Sequence, residues 1–287
     1  MTIVPRAYLE LTKPGITLFI GVTAGAGFIT AVGGWGMPGR LATTVLATML
    51  MSAGAATLNQ VLERKSDAMM SRTASRPVPA GIVTVASARA WGGGLSAMGL
   101  GLALALLPWL TALFLVLCHV SYVYAYTPLK RCTPLCTLTG AIPGALPVLA
   151  GWTATGQPMN VAALALTGVL FMWQIPHFLA IGWMAREDYR TAGCPMLGVV
   201  DSSGRASARV SLMYATAMVI CAAVVGFTSG AGQLYMATAL LTGAAYIAFA
   251  WRFLEQRERA PARRLFFSSL LVLPLLLTAL IADLVLL

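Results

Sequence analysis

The residues most able to do chemistry lie in 59–81, NQVLERKSDAMMSRTASRPVPAG, where Asn59, Glu63 and Asp67 recur every fourth residue. On an α-helix four residues turn about 400° and rise about 6 Å, so the three stack on one face. That face offers an amide oxygen and two carboxylates. Mg²⁺ takes oxygen ligands and commonly shares them with substrate phosphates. Arg64, Lys65, Arg72 and Arg76 follow closely, and guanidinium and ammonium groups match phosphate oxygens. The combination points to a metal–diphosphate site at the end of a helix. The competing reading is a solvated helix end whose charges only anchor a boundary. The strict period favours the site, and so does the scarcity of acids, with 9 Asp and Glu in the whole chain.

A second set of candidates lies in MWQIPHFLAIGWMAREDYRTAGCPML. Glu187 and Asp188 form an adjacent acidic pair that could hold a second metal against the same diphosphate. His177 follows Pro176 inside an apolar run. An ionisable side chain within a membrane helix is a functional candidate by default. A neutral imidazole bonded to a neighbouring helix is the alternative. His119 lacks polar neighbours in sequence and ranks below it. The segment YAYTPLKRCTPL carries Lys130 and Arg131, which could close over a diphosphate or simply anchor the membrane boundary. Tyr126, with Tyr122 and Tyr124, stands at the substrate side of that segment or in an interfacial aromatic belt. Cys132 and Cys136 have helical metal spacing but no companion ligands, so they read as two reduced small residues.

These groups must be positioned by membrane helices. The chain has 287 residues, 59% hydrophobic and 10% charged, too apolar for a soluble globular protein of this size. No polar segment is long enough to build a second core, so residues 1–287 read as one transmembrane domain of the all-α class. Each span needs about 20 mostly apolar residues. About nine transmembrane helices result, at 14–33, 41–62, 87–107, 109–126, 136–155, 161–183, 208–228, 233–252 and 265–286, with a turn at Pro108 between the third and fourth. The polar lead 1–13 lacks the character of a mitochondrial transit peptide, and the apolar run after it has no convincing cleavage site, so that run is expected to remain as a helix.

In a soluble protein the net charge of +10 would suggest nucleic acid; here it reads as topology, with no nucleic-acid partner. Placing the N-terminus in the cytoplasm puts every Lys and Arg except Arg40 in or beside inner segments, together with all the acids except Asp283. The 5 cysteines avoid the outer loops, so no structural disulfide is expected.

These residues resemble the UbiA superfamily of intramembrane prenyltransferases. Its first motif, N-x-x-x-D-x-x-x-D, matches Asn59, Glu63 and Asp67, with Glu in place of the middle Asp. Its second acidic motif is matched by Glu187 and Asp188 alone, since position 184 is Met. Within the superfamily the match is nearest to the haem-farnesylating branch, through the two segments above and YTPLKRCTPLCTLTGAIPGALPVLAGW. The resemblance implies a Mg²⁺-dependent enzyme of the bacterial cytoplasmic membrane. It would transfer the farnesyl group of farnesyl diphosphate to the 2-vinyl group of haem B, with addition of water, to give haem O. Asn59, Glu63 and Asp67 would hold one Mg²⁺, and Glu187 and Asp188 another. Arg72, Arg76, Lys130 and Arg131 would contact diphosphate, and His177 would face the tetrapyrrole. Haem A synthase or the terminal-oxidase assembly machinery would be the partners. The alternatives are an aromatic quinone precursor as acceptor, a haem transporter and a non-catalytic assembly factor. Acids gathered at one membrane face argue against a transporter, whose polar sites lie near the midplane.

Overall fold

A chain segment in lipid must satisfy its backbone internally, so each apolar run folds as a helix. The computed structural model describes residues 3–286. Met1, Thr2 and Leu287, the ends of the expected unit, lie outside the described residues. The elements are α1 (Ile3–Leu11), α2 (Pro14–Val32), α3 (Pro38–Asp67), α4 (Val85–Leu106), α5 (Trp109–Leu129), α6 (Cys136–Ala154), α7 (Val161–Met184), α8 (Arg186–Thr191), α9 (Leu197–Val200), α10 (Arg205–Thr228), α11 (Gln233–Gln256) and α12 (Arg259–Leu286). No strand occurs among the described residues. Every expected span coincides with one long helix, and Pro108 makes the expected turn between α4 and α5.

Of these helices, 7 are long and apolar enough to cross a membrane: α2, α3, α5, α7, α10, α11 and α12. The protein is therefore an integral membrane protein. The two expected spans that fall short are α4 and α6. The first carries Arg89 and three consecutive glycines from Gly92. The second carries Pro143 and Pro147 and is buried along most of its 19 residues. Surrounded by protein, α6 needs small residues for packing more than large apolar ones for lipid.

Local chemistry sets the helix ends. Pro14 and Pro38 open α2 and α3, where a missing N–H costs nothing. Thr84 and Asn160 cap α4 and α7 through the N–H groups of Ser87 and Ala163. Asp283, to which the sequence assigned no role, is buried on α12. Its Oδ2 accepts the Tyr235 N–H at 2.8 Å, in the first turn of α11. Helix α5 contains a π-helical turn at Ser121–Tyr126, in which the Thr127 N–H reaches the Tyr122 carbonyl. Helix α7 breaks at Ala185 (φ −103°, ψ 20°), so Glu187 and Asp188 sit on the separate short helix α8 rather than on a straight extension from His177.

The bundle closes through glycines. A Cβ on Gly151 of α6 would lie 1.8 Å from the Ala24 carbonyl oxygen of α2, and one on Gly27 would lie 2.3 Å from that of Val148. Contact this close joins backbone to backbone, so no side chain can move aside to relieve an added methyl.

Gly151→Ala is therefore expected to force α2 from α6. It should destabilise the bundle by at least the ~1–3 kcal/mol typical of overpacking. Gly93→Ala, with open space around it, should be neutral; thermal unfolding in detergent compares the two. Topology is tested in a cysteine-free background. Met69 and Met159 are 54% and 43% exposed, one after the C-terminus of α3 and the other before the N-terminus of α7. Met69→Cys is expected to label only from the cytoplasmic side and Met159→Cys only from the opposite side. Labelling of both from one side would refute the arrangement.

Candidate active site

The expected acidic face forms, but each of its members already has a partner. Asn59, Glu63 and Asp67 are buried near the end of α3. Lys130, one residue past α5, donates to Glu63 Oε1 at 2.7 Å. Arg76 donates to Asp67 Oδ2 at 2.7 Å. Lys13, between α1 and α2, donates to Asn59 Oδ1 at 2.9 Å, and Asn59 Nδ2 donates to Thr127 Oγ1 at 2.9 Å. Burial alone would lower the Lys130 ammonium, but the Glu63 carboxylate holds it well above lysine's usual range, so it stays charged.

Around these pairs lies a polar pocket of about 80 Å³, whose walls include Glu63, Asp67, Arg72, Arg76, Lys130 and Arg131. Glu63 Oε2 and Asp67 Oδ1 have no protein partner among the described residues, and neither is sealed in the interior. The pocket thus combines free carboxylate oxygens with several cations, a donor set that suits a hard divalent ion bound to a phosphorylated ligand. Arg64 and Lys65, also singled out in the sequence, do not line it; Arg64 donates to the Val61 carbonyl instead.

The second acidic pair divides. Asp188 comes across to the loop after α3, where it accepts from Ser71 Oγ at 3.0 Å and lies 3.9 Å from Arg72 Nε. Arg72 also donates to the Tyr189 hydroxyl at 3.0 Å and sits over its ring. Glu187 points away: its side chain is 69% exposed and is paired with Arg186 and Arg190. Neighbouring residues on a short helix cannot face the same way, and Asp188 holds the inward direction.

Beside the polar pocket lies an apolar cavity of about 480 Å³, within the size range of small-molecule sites. Its few polar side chains include His119, Gln174 and His177, and Lys13 lines both spaces. Tyr126 also belongs to its wall, with the Lys130 ammonium 4.5 Å from its ring centroid. Glycines seat two of its wall residues against α6: a Cβ on Gly140 would meet the Tyr126 ring at 2.6 Å, and one on Gly144 would meet Gln174 Oε1 at 2.1 Å. His177 stacks on Trp173 at 5.3 Å, and its Nδ1 is 2.7 Å from Ser269 Oγ.

His177 lies in the interior as expected, and His119, ranked below it in sequence, lines the same cavity with Nδ1 3.4 Å from the Met51 carbonyl. Sequence reasoning missed Lys13, Gln174, Tyr189 and Ser269. Of these, Lys13 carried a signal: a cation directly before a helix-opening proline, held here at φ 48°.

The Lys130–Glu63 pair generates a stability test. Removing one member of a mostly buried pair leaves an uncompensated charge, at a typical cost of about 3–5 kcal/mol. Lys130→Met should therefore lower the unfolding temperature in detergent clearly, and Lys130→Met with Glu63→Met should recover most of the loss. Equal losses in the single and double variants would contradict the pairing.

Comparison with known proteins places these features. The model of the UbiA prenyltransferase family matches residues 19–271. The protoheme IX farnesyltransferase of Opitutus terrae is 41% identical, over 96% of this chain and 94% of its own. Among solved structures, a digeranylgeranylglyceryl phosphate synthase superposes with TM-score 0.81 at 15% identity, over 98% of this chain and 99% of its own. A UbiA homologue from Archaeoglobus fulgidus bound to GPP and Mg²⁺ superposes with TM-score 0.68 at 18% identity, over 96% of this chain and 99% of its own.

Proposed function

This chain belongs to the UbiA prenyltransferase family, and from that premise we propose that it transfers the farnesyl group of farnesyl diphosphate to the 2-vinyl group of haem B. The observation that carries the reading is the meeting, at Lys13, of a cation-rich pocket and a dry cavity. That is the division an allylic diphosphate requires, with its charged head in one space and its hydrocarbon in the other. Near full-length similarity to protoheme IX farnesyltransferases selects haem as acceptor over a quinone precursor.

In this reading Lys130, Arg72, Arg76 and Arg131 bind the diphosphate and stabilise the charge that grows on it as the allylic C–O bond breaks. Glu63 and Asp67, each with one carboxylate oxygen free of a protein partner among the described residues, would hold Mg²⁺, with Asp188 of α8 as a further candidate. Of the other expected ligands, Asn59 shares its Oδ1 with Lys13, and Glu187 faces outward, paired with Arg186 and Arg190. Bound there, Mg²⁺ supplies further neutralisation of the leaving group. The apolar wall, with Tyr126 at the boundary, keeps water from the farnesyl carbocation until the vinyl terminus attacks it. A new C–C bond forms and diphosphate departs. Water adds to the resulting benzylic-type cation beside the ring and loses a proton, which gives the hydroxyethylfarnesyl group of haem O. His177 faces the tetrapyrrole.

The whole chain, 1–287, works as one transmembrane domain in this proposal, with α4 and α6 crossing alongside the other long helices. The N-terminus and the polar pocket face the cytoplasm of a bacterial inner membrane, as the Lys and Arg distribution predicts. Both substrates enter from the bilayer.

Membranes containing the protein, supplied with haem B, farnesyl diphosphate and Mg²⁺, are expected to yield a haem heavier by one farnesyl group and one hydroxyl, and chelation should stop the reaction. Asp67→Asn should cut turnover at least tenfold, about 1.4 kcal/mol of transition-state stabilisation, with the protein still folded. Glu63→Asp should be mild. Prenylation of an aromatic acid with haem returned unchanged would transfer the assignment to the quinone branch. Haem crossing the membrane unmodified would favour a transporter.

A further inference from the structure

One residue on α12 grips two residues of α7. The Ser269 backbone carbonyl accepts the Trp173 indole N–H at 2.8 Å, and the Ser269 hydroxyl meets His177 Nδ1 at 2.7 Å. The same hydroxyl lies 2.5 Å from the Phe266 carbonyl oxygen. A serine has one proton to donate. If that proton went to His177, Ser269 Oγ and the Phe266 oxygen would face each other at 2.5 Å with no hydrogen between them. The proton therefore lies on the Phe266 bond, and Ser269 Oγ is the acceptor from His177 Nδ1–H. The tautomer follows from this network. A neutral imidazole protonated on Nδ1 carries its lone pair on Nε2. No protein group bonds Nε2 among the described residues, and His177 lines the apolar cavity, stacked on Trp173 and 5.0 Å from the Phe266 ring. These aromatic contacts fix the ring plane, and the serine fixes which nitrogen is free.

We infer that Ser269 is a positioning residue that takes the Nδ1 proton of His177 and so presents Nε2 to the cavity as a ligand for the iron of the haem substrate. The inference rests on the reading of His177 as the tetrapyrrole-facing residue and adds a residue, an atom and a tautomer to it. Histidines that bind metals commonly donate their second N–H to a fixed acceptor. That bond orients the ring and raises its basicity, and its loss typically weakens metal affinity about 10–100-fold. His119 is held less firmly than His177, since its Nδ1 lies 3.4 Å from its acceptor rather than 2.7 Å and no aromatic ring packs on it among the described residues.

The test uses the full chain in detergent with haem B, followed by Soret titration and by the iron–histidine stretching band of the ferrous complex. Wild type is expected to show the band and His177→Ala to lose it. Ser269→Ala should shift the band to lower frequency and weaken haem binding about 10–100-fold. Ser269→Cys, with a weaker acceptor, should fall between. Because Trp173 is held by the backbone of residue 269, the alanine variant keeps that grip and should remain folded. Wild-type band position and affinity in Ser269→Ala, with the band still lost in His177→Ala, would overturn the role of Ser269 alone. A band absent from wild type, or one that survives His177→Ala, would overturn the haem-facing reading beneath it.

Discussion

The site depends on charges that cannot stand alone. Glu63 and Asp67 lie where water is scarce, and an isolated carboxylate there is expensive enough to neutralise itself or unfold its surroundings. Each instead meets a cation from another part of the chain: Lys130 from beyond α5 and Arg76 from the loop after α3. Lys13 performs the same service for the Asn59 amide. The pairs therefore act as tertiary ties as well as chemical groups. In the proposed function they are provisional ties, since a diphosphate with its metal would offer the cations new anions and the carboxylates a new cation. Lys13, Arg72, Arg76, Lys130 and Arg131 outnumber Glu63 and Asp67 around the pocket, so it holds positive charge in reserve for an anionic ligand.

Next to this charged corner the bundle is apolar. Glycines at 140 and 144 let Tyr126 and Gln174 pack directly against α6, and among the polar groups on the walls Gln174 donates to the Ala141 carbonyl and His177 meets Ser269. An apolar wall of this kind offers few nucleophiles, and the His177 ring on it is packed against the rings of Trp173 and Phe266. The division between the two spaces falls at Lys13 and Tyr126, residues from opposite ends of the first half of the chain.

Much of the fold was legible because the membrane permits few solutions. Every long apolar run became a helix; the span expected from 14 opens at Pro14 and the turn at Pro108 forms, while the span expected from 41 begins earlier, at Pro38. The acidic face of α3 was legible because a period of four survives in any straight helix. What escaped were properties of packing. Lys13 meets Asn59 across 46 residues and His177 meets Ser269 across 92, distances at which no periodicity carries information. Glu187 and Asp188 looked equivalent in the chain, yet the break at Ala185 turned one inward and left the other exposed. Asp283 was opaque for the same reason, since its partner is a backbone N–H on another helix.

The π-helical turn of α5 sets the phase of everything that follows it in the helix. A turn of this type is an α-helix holding one surplus residue, and such turns gather at functional sites. Without the surplus, everything after Ser121 would rotate about the helix axis by roughly 100°. Tyr126 would leave the cavity wall, and Lys130 would swing away from Glu63. The local winding therefore sets which side of the helix Tyr126 and Lys130 present. A one-residue deletion there would turn an aromatic ring and an ammonium away from the acids of α3 while leaving the helix before Ser121 unchanged.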